Sequence, residues 1–212
     1  MKKTILKKIF IKKEAGFTII ESLVAIFILI LSITGPMAFT QSGLRAAFVS
    51  RDQIGAFFLA QDAIEYIRNT RDNTSIDILG GTNKSWLIDL NNCIVNDISA
   101  PGCTIDTSDT NPANIKKCNA GPTDYGCLGS NPDGSGDVPL KIRSNDPNDD
   151  LYGFLGFQGE KDSIFSREIK MIKGGFDDEY EINVIVRWNT HETIGVRQIV
   201  IKEYIYNWAT GF

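Results

Sequence analysis

Hydrophobic and polar positions divide this chain into four regimes. From Phe17 to Phe39 it reads FTIIESLVAIFILILSITGPMAF, 23 residues with a single charge, Glu21. As a helix this run extends about 34 Å, enough to cross the hydrocarbon core of a bilayer. Over residues 40–72 the pattern becomes amphipathic. Ala47, Ile54, Phe57, Ala60, Ile64 and Ile67 recur at spacings of three, four and seven, which predicts one buried helix face. Arg68 and Arg71 suit a helix C-terminus, and Asp72-Asn73-Thr74 predicts the end of the helix there.

Residues 84–96 carry a weaker helical pattern, with Trp86, Leu87, Leu90 and Ile94 on one side. Residues 97–150 are rich in Asn, Asp, Gly, Pro and Ser, which predicts long loops and a short strand near Leu140-Lys141-Ile142. The last third is β. Tyr180, Ile182, Val184, Val186 and Trp188 alternate with Glu181, Asn183, Ile185 and Arg187, a half-buried strand. Residues 164–173 and 194–206 read as strands on either side of it. Short connectors at Gly174-Gly175 and Asn189-Thr190-His191-Glu192 make an antiparallel meander. The expected fold class is α+β, with a long N-terminal membrane-spanning helix packed on a C-terminal antiparallel sheet.

Charge sharpens the topology. Of 212 residues, 42% are hydrophobic and 23% charged, which excludes a wholly disordered chain. Lys2, Lys3, Lys7, Lys8, Lys12 and Lys13 crowd the first 16 residues against Glu14 alone. The other 196 residues hold 16 basic and 25 acidic side chains, a net of −9. That acidic body disfavours strong nucleic-acid binding by the isolated head. Lysines ahead of the apolar run place the N-terminus in the cytoplasm and the remainder outside the membrane. A secretory signal peptide would have a shorter apolar stretch and a better cleavage site than Thr40-Gln41-Ser42.

A plain anchor accommodates Glu21 near the headgroups, at the positive end of the helix dipole. It leaves the neighbours of Glu21 unexplained. Lys12-Lys13-Glu14-Ala15-Gly16-Phe17-Thr18-Ile19-Ile20-Glu21-Ser22-Leu23 closely resembles the processing site of type IV pilins and pseudopilins. The resemblance implies that a prepilin peptidase removes residues 1–16 by cutting between Gly16 and Phe17, and that Phe17 is then N-methylated. It implies residues 17–39 as the assembly helix, residues 40–72 as its amphipathic continuation and residues 73–212 as an extracytoplasmic head. Glu21 would pair with the new amine of a neighbouring subunit in the apolar filament core, where an unpaired charge is expensive. The implied partners are the peptidase, other pilin or pseudopilin subunits, an inner-membrane assembly platform and membrane lipid. The location implied is the membrane first, then a periplasmic or extracellular filament. The family's usual helix proline lies slightly beyond Pro36, and the run Ile-Ile-Glu-Ser-Leu-Val-Ala looks like minor components of the PilV or GspI kind. A permanently anchored, unprocessed binding domain is the alternative.

Other candidate chemistry is sparse. Cys93, Cys103, Cys118 and Cys127 permit three disulfide connectivities in an oxidising location, and Cys93–Cys103 with Cys118–Cys127 closes the shorter loops. A zinc site would need Cys-x-x-Cys pairs or nearby histidines. His191, the single histidine, falls in a predicted turn without a second ligand. Gly80-Gly81-Thr82-Asn83-Lys84-Ser85 lacks the spacing of a phosphate loop. Asp133-Gly134-Ser135-Gly136-Asp137 would begin a calcium loop whose twelfth position is Ser144 and not Glu, so a polar turn is the better reading. No nucleophile–base constellation or cofactor motif is present, and the chain reads as a subunit and not an enzyme.

Overall fold

The computed structural model describes residues 16–107, 115–118, 127–129, 134–142, 161–189 and 195–209, with backbone alone at 152–153. It is α+β, with one long helix followed by an antiparallel sheet. By contact density the chain divides into two compact units, Met1–Phe48 and Val49–Phe212. The boundary falls inside the segment expected to be a uniform amphipathic continuation.

In the first unit helix α1 (Ile19–Leu79) begins after Gly16, Phe17 and Thr18, which lie outside it. Residues 16–48 are all exposed. This is the one helix among the described residues long and apolar enough to cross a membrane. Pro36 sits within it and has no N–H for the Ser32 carbonyl. Hydroxyls follow the backbone closely here: Ser32 donates to the Leu29 carbonyl at 2.7 Å and Thr40 to the Pro36 carbonyl at 2.8 Å.

In the second unit the remainder of α1 packs on the sheet. The buried face is Ala56, Leu59, Ala60, Ala63, Ile64 and Ile67. This corrects the expected stripe. Ala47 belongs to the exposed unit, and Ile54 and Phe57 remain 57% and 46% exposed. Three alanines instead let the helix backbone approach the strands, so the small residues mark the contact. The helix also runs past Asp72-Asn73-Thr74. Thr74 and Ser75 are buried, the Thr74 hydroxyl donates to the Thr70 carbonyl at 2.9 Å, and packing overrides the local break. Termination comes at Gly80-Gly81, where Gly81 takes φ 94° and its N–H reaches the Ile78 carbonyl at 2.9 Å.

The main sheet contains β1 (Cys103–Ile105), β2 (Ile115–Lys117), β6 (Phe165–Lys173), β7 (Glu179–Asn189) and β8 (Val196–Tyr206), in the order β2-β1-β6-β7-β8. The meander β6-β7-β8 is as the alternation predicts. Its helix-facing side carries Ile169, Met171, Ile182, Val184 and Val186, all fully buried. Two regions differ from expectation. The region 97–150 contributes β1 and β2 to the main sheet, and residues 84–96 form a six-residue 3-10 helix (Ile88–Cys93). The 3-10 segment stays short because Ile94 turns extended and bridges to Met171 of β6. A second, small sheet joins β3 (Lys141–Ile142), β4 (Tyr152–Gly153) and β5 (Lys161–Asp162) in the order β4-β3-β5.

Arg167 of β6 lies on the helix-facing side and is fully buried. Its guanidinium donates to the Leu59 carbonyl of α1 and to the Ile105 carbonyl of β1, each at 2.7 Å. Half-exposed Asp62 lies 3.6 Å away. Burial pushes the Arg167 guanidinium below its ordinary value, opposed by Asp62. Replacing Arg167 by Ala opens a large void and strands two carbonyls, so we expect a loss of about 3–5 kcal/mol. Asp62→Asn removes a solvent-screened partner and should change stability by less than about 1 kcal/mol. Urea unfolding of the full chain in detergent, followed by tryptophan fluorescence, measures both.

Candidate functional site

The residues singled out from the sequence fall into two places. At the start of α1, Gly16 and Phe17 are exposed and precede the helix. Thr18 caps it: its hydroxyl oxygen accepts from the Glu21 N–H at 3.3 Å, and its carbonyl accepts from the Ser22 N–H at 3.2 Å. Thr18-Ile19-Ile20-Glu21 has the spacing of a capping box, a signal the sequence reading passed over. Glu21 lies in the first turn, where a carboxylate suits the helix dipole. It is exposed among apolar neighbours, and nothing within this chain fixes its carboxylate among the described residues. A Cβ on Gly16 would meet nothing within 4 Å. A methyl group added at Gly16 therefore meets no steric obstacle among the described residues.

The second place is the cystine-rich flank of the sheet. Cys93 pairs with Cys103, fastening the 3-10 helix to the start of β1, and Cys118 pairs with Cys127 just beyond β2. Sequence separations of 10 and 9 make each a short-loop closure, of about 2–3 kcal/mol in the chain-entropy account. The residues after Cys127 are held on β7 by charge. Asp137 accepts from the Gly129 N–H at 2.6 Å and from the Arg187 guanidinium at 2.9 Å. That carboxylate, weighed above as a calcium ligand, is occupied by an arginine. Asp133, Ser144 and His191 lie outside the described residues. Among the described residues no group of three His, Cys, Asp or Glu side chains is placed to hold a metal ion.

Beside the first disulfide the chain crosses β6 at Gly102. A Cβ there would overlap the Ile169 carbonyl, so glycine is required by the close approach. The Gly102 N–H donates to the buried Glu168 carboxylate at 2.7 Å, and the Lys170 ammonium lies 3.6 Å from the same oxygen while donating to the Ile98 carbonyl at 2.8 Å. Burial raises the Glu168 carboxyl above its ordinary value, against the lowering effect of Gly102 and Lys170. None of these groups was marked by the sequence reading. Their partners lie 66 and 72 residues away in the chain, with no local signature. The arrangement is structural: it secures β1 and the disulfide against the sheet.

Between its unfolded and folded values Glu168 holds a proton in the native state that the unfolded chain has lost. Stability attributable to it therefore falls as pH rises through that window. Glu168→Gln keeps an acceptor for Gly102 and removes the titration. We expect this variant to melt above the parent at pH 7, with the gap closing below the ordinary glutamate range. Scanning calorimetry at the two pH values decides, and a gap that widens on acidification would give Lys170 the larger influence.

Comparison with protein families, with curated proteins and with solved structures gave no match to this chain.

Proposed function

We propose that this protein is a minor pilin or pseudopilin subunit, made as a precursor, processed between Gly16 and Phe17, and assembled into a type IV pilus or type II secretion-like filament. One observation carries the reading. The basic leader, Gly16-Phe17 and Glu21 stand in the prepilin order immediately at the head of a long apolar helix. The geometry supports it in two respects. Gly16 and Phe17 are exposed and outside the helix, where a peptidase can engage backbone not committed to helical hydrogen bonds. The apolar residues of the first unit, all exposed in the single chain, are suited to lipid at first and to neighbouring helices afterwards.

In this reading the head is a passenger of the helix, and the chain is a substrate of the peptidase and not itself an enzyme. N-methylated Phe17 of one subunit faces Glu21 of another. The ion pair fixes axial register, because a carboxylate left unpaired among apolar helices costs several kcal/mol, roughly the penalty of an uncompensated buried charge. Thr18 caps the helix through the Glu21 N–H, and Glu21 lies in the first turn, four residues along the chain from Phe17.

Mass spectrometry of the intact protein and its N-terminal peptide, taken from membrane and filament fractions, tests the reading directly. A start at N-methylated Phe17 is expected. A start at Met1 would make the protein a permanently anchored binding domain, and a start near residue 43 a secreted one. Gly16→Ala should retain the leader while leaving the fold untouched, since that position is open. Glu21→Ala should be processed normally yet enter filaments poorly when mixed with wild-type subunits. Equal incorporation would remove the pairing role from Glu21.

A further inference from the structure

Strand β8 is an edge of the main sheet: it pairs with β7 without interruption over Val196–Tyr206, and among the described residues no strand lies on its other side. An unprotected edge of eleven residues with Ile199-Val200-Ile201 at its middle is a template for another strand. Beside it, within the second unit, α1 and β8 enclose an open apolar groove of about 640 Å³ lined by Ile54, Phe57, Phe58, Ile199, Val200 and Ile201. Phe58 and Val200 are 62% and 45% exposed.

The strand's own charge pattern says what fits. Arg197-Gln198-Ile199-Val200-Ile201-Lys202-Glu203 is symmetric about Val200 in polarity and antisymmetric in charge at its ends. We propose that a second copy of this chain docks here by antiparallel β8–β8 pairing centred on Val200. In that register Val200 opposes Val200 of the other copy, Ile199 opposes Ile201, and Arg197 opposes Glu203 twice over. Arg197, Ile199, Ile201 and Glu203 all share the side of the strand that faces the helix, by their registry with Trp188, Val186, Val184 and Ile182.

Registers that keep both helices on one side shift the centre by whole residues, and the neighbouring ones are worse. Centring on Ile201 sets Arg197 against Ile205 and Glu203 against Ile199. Centring on Lys202 sets lysine against lysine, and centring on Ile199 sets Arg197 against Ile201. The contact is two-fold and self-complementary, so it closes at two copies and does not propagate. It uses nothing from the leader or from Glu21, and stands or falls separately from the filament reading.

Cysteine trapping of the full chain in detergent micelles is the test. The four native cysteines are paired, so Val200→Cys adds a single free thiol at the two-fold axis. Mild oxidation should give a covalent dimer, whereas Phe176→Cys, at a position 74% exposed on the β6–β7 turn, should not. Equal trapping at both sites, or none at Val200, overturns the proposal. In the Val200→Cys background, Arg197→Glu or Glu203→Arg should weaken dimerisation about tenfold by replacing two cross-strand pairs with like charges. Combining them should restore it. Glu203 also pairs with Arg68 within the chain. That contact stays broken in the double variant, so recovery there reports pairing between copies, and its failure overturns the register.

Discussion

Placing a guanidinium in a dry interior is the constraint around which the head is organised. The strong partners of Arg167 are two backbone carbonyls, one from the middle of α1 and one from the end of β1, with the charges of half-exposed Asp62 and buried Asp106 acting on it from further off. Each carbonyl has a spare lone pair, and a planar fork can serve both at once in a way an ammonium cannot. The desolvation cost is recovered only if helix, β6 and the short strand β1 all sit where the fork reaches. A nondirectional apolar contact would tolerate the helix sliding along the sheet; this one does not. The alanines at 56, 60 and 63 belong to the same constraint, because larger side chains there would lift the Leu59 carbonyl out of reach.

Around that pin the head is extended outward by progressively more local devices. Gly102 lets β1 cross close to β6, and Glu168 receives its N–H from the opposite side of the strand. One disulfide holds the 3-10 helix to β1, a second closes the chain beyond β2, and Asp137 and Arg187 return the next stretch to β7. The region has few apolar anchors of its own, so covalent and ionic ties take the place of a core. Such ties hold a loop surface in shape without needing it to be hydrophobic.

What could be read along the chain was what depends on near neighbours. The alternation of Tyr180 to Trp188 produced β7 because one face of that strand is apolar and the other polar. Strand β6 was legible as a strand, but its role was not. It is buried on both sides, so Arg167 occupies an apolar parity while Glu168 and Lys170 are covered on the other side. A charged residue in phase with Phe165, Ile169 and Met171 was the available signal for the pin. The end of α1 was misread because Asp72-Asn73-Thr74 is a weak local breaker and the burial of Thr74 and Ser75 is tertiary. The true stop, Gly80-Gly81, carried the stronger signal. Strands β1 and β2 were hidden for a different reason: three residues each do not establish a period. The pattern at Gly16-Phe17 and Glu21, by contrast, is linear and needs no fold to be visible.

The two margins of the main sheet follow opposite physical rules. At β2 the outer strand has three residues, two of them exposed lysines, and it ends directly at a disulfide-bonded cysteine. Short length, positive charge and a covalent stop together make it a poor template for another chain. At β8 the strand is long, regular and apolar in its centre, and its outer-face charge is partly neutralised by Glu181, whose carboxyl Lys202 holds below the ordinary range. A sheet that protects one edge so thoroughly and leaves the other regular has a direction in which it can grow. The groove formed by Phe57 and Phe58 lies at that same margin. The helix residues expected to be buried, and found exposed, are therefore not a defect of the stripe. They divide α1 into a face that closes the core of its own head and a neighbouring face that extends the apolar surface of the open edge.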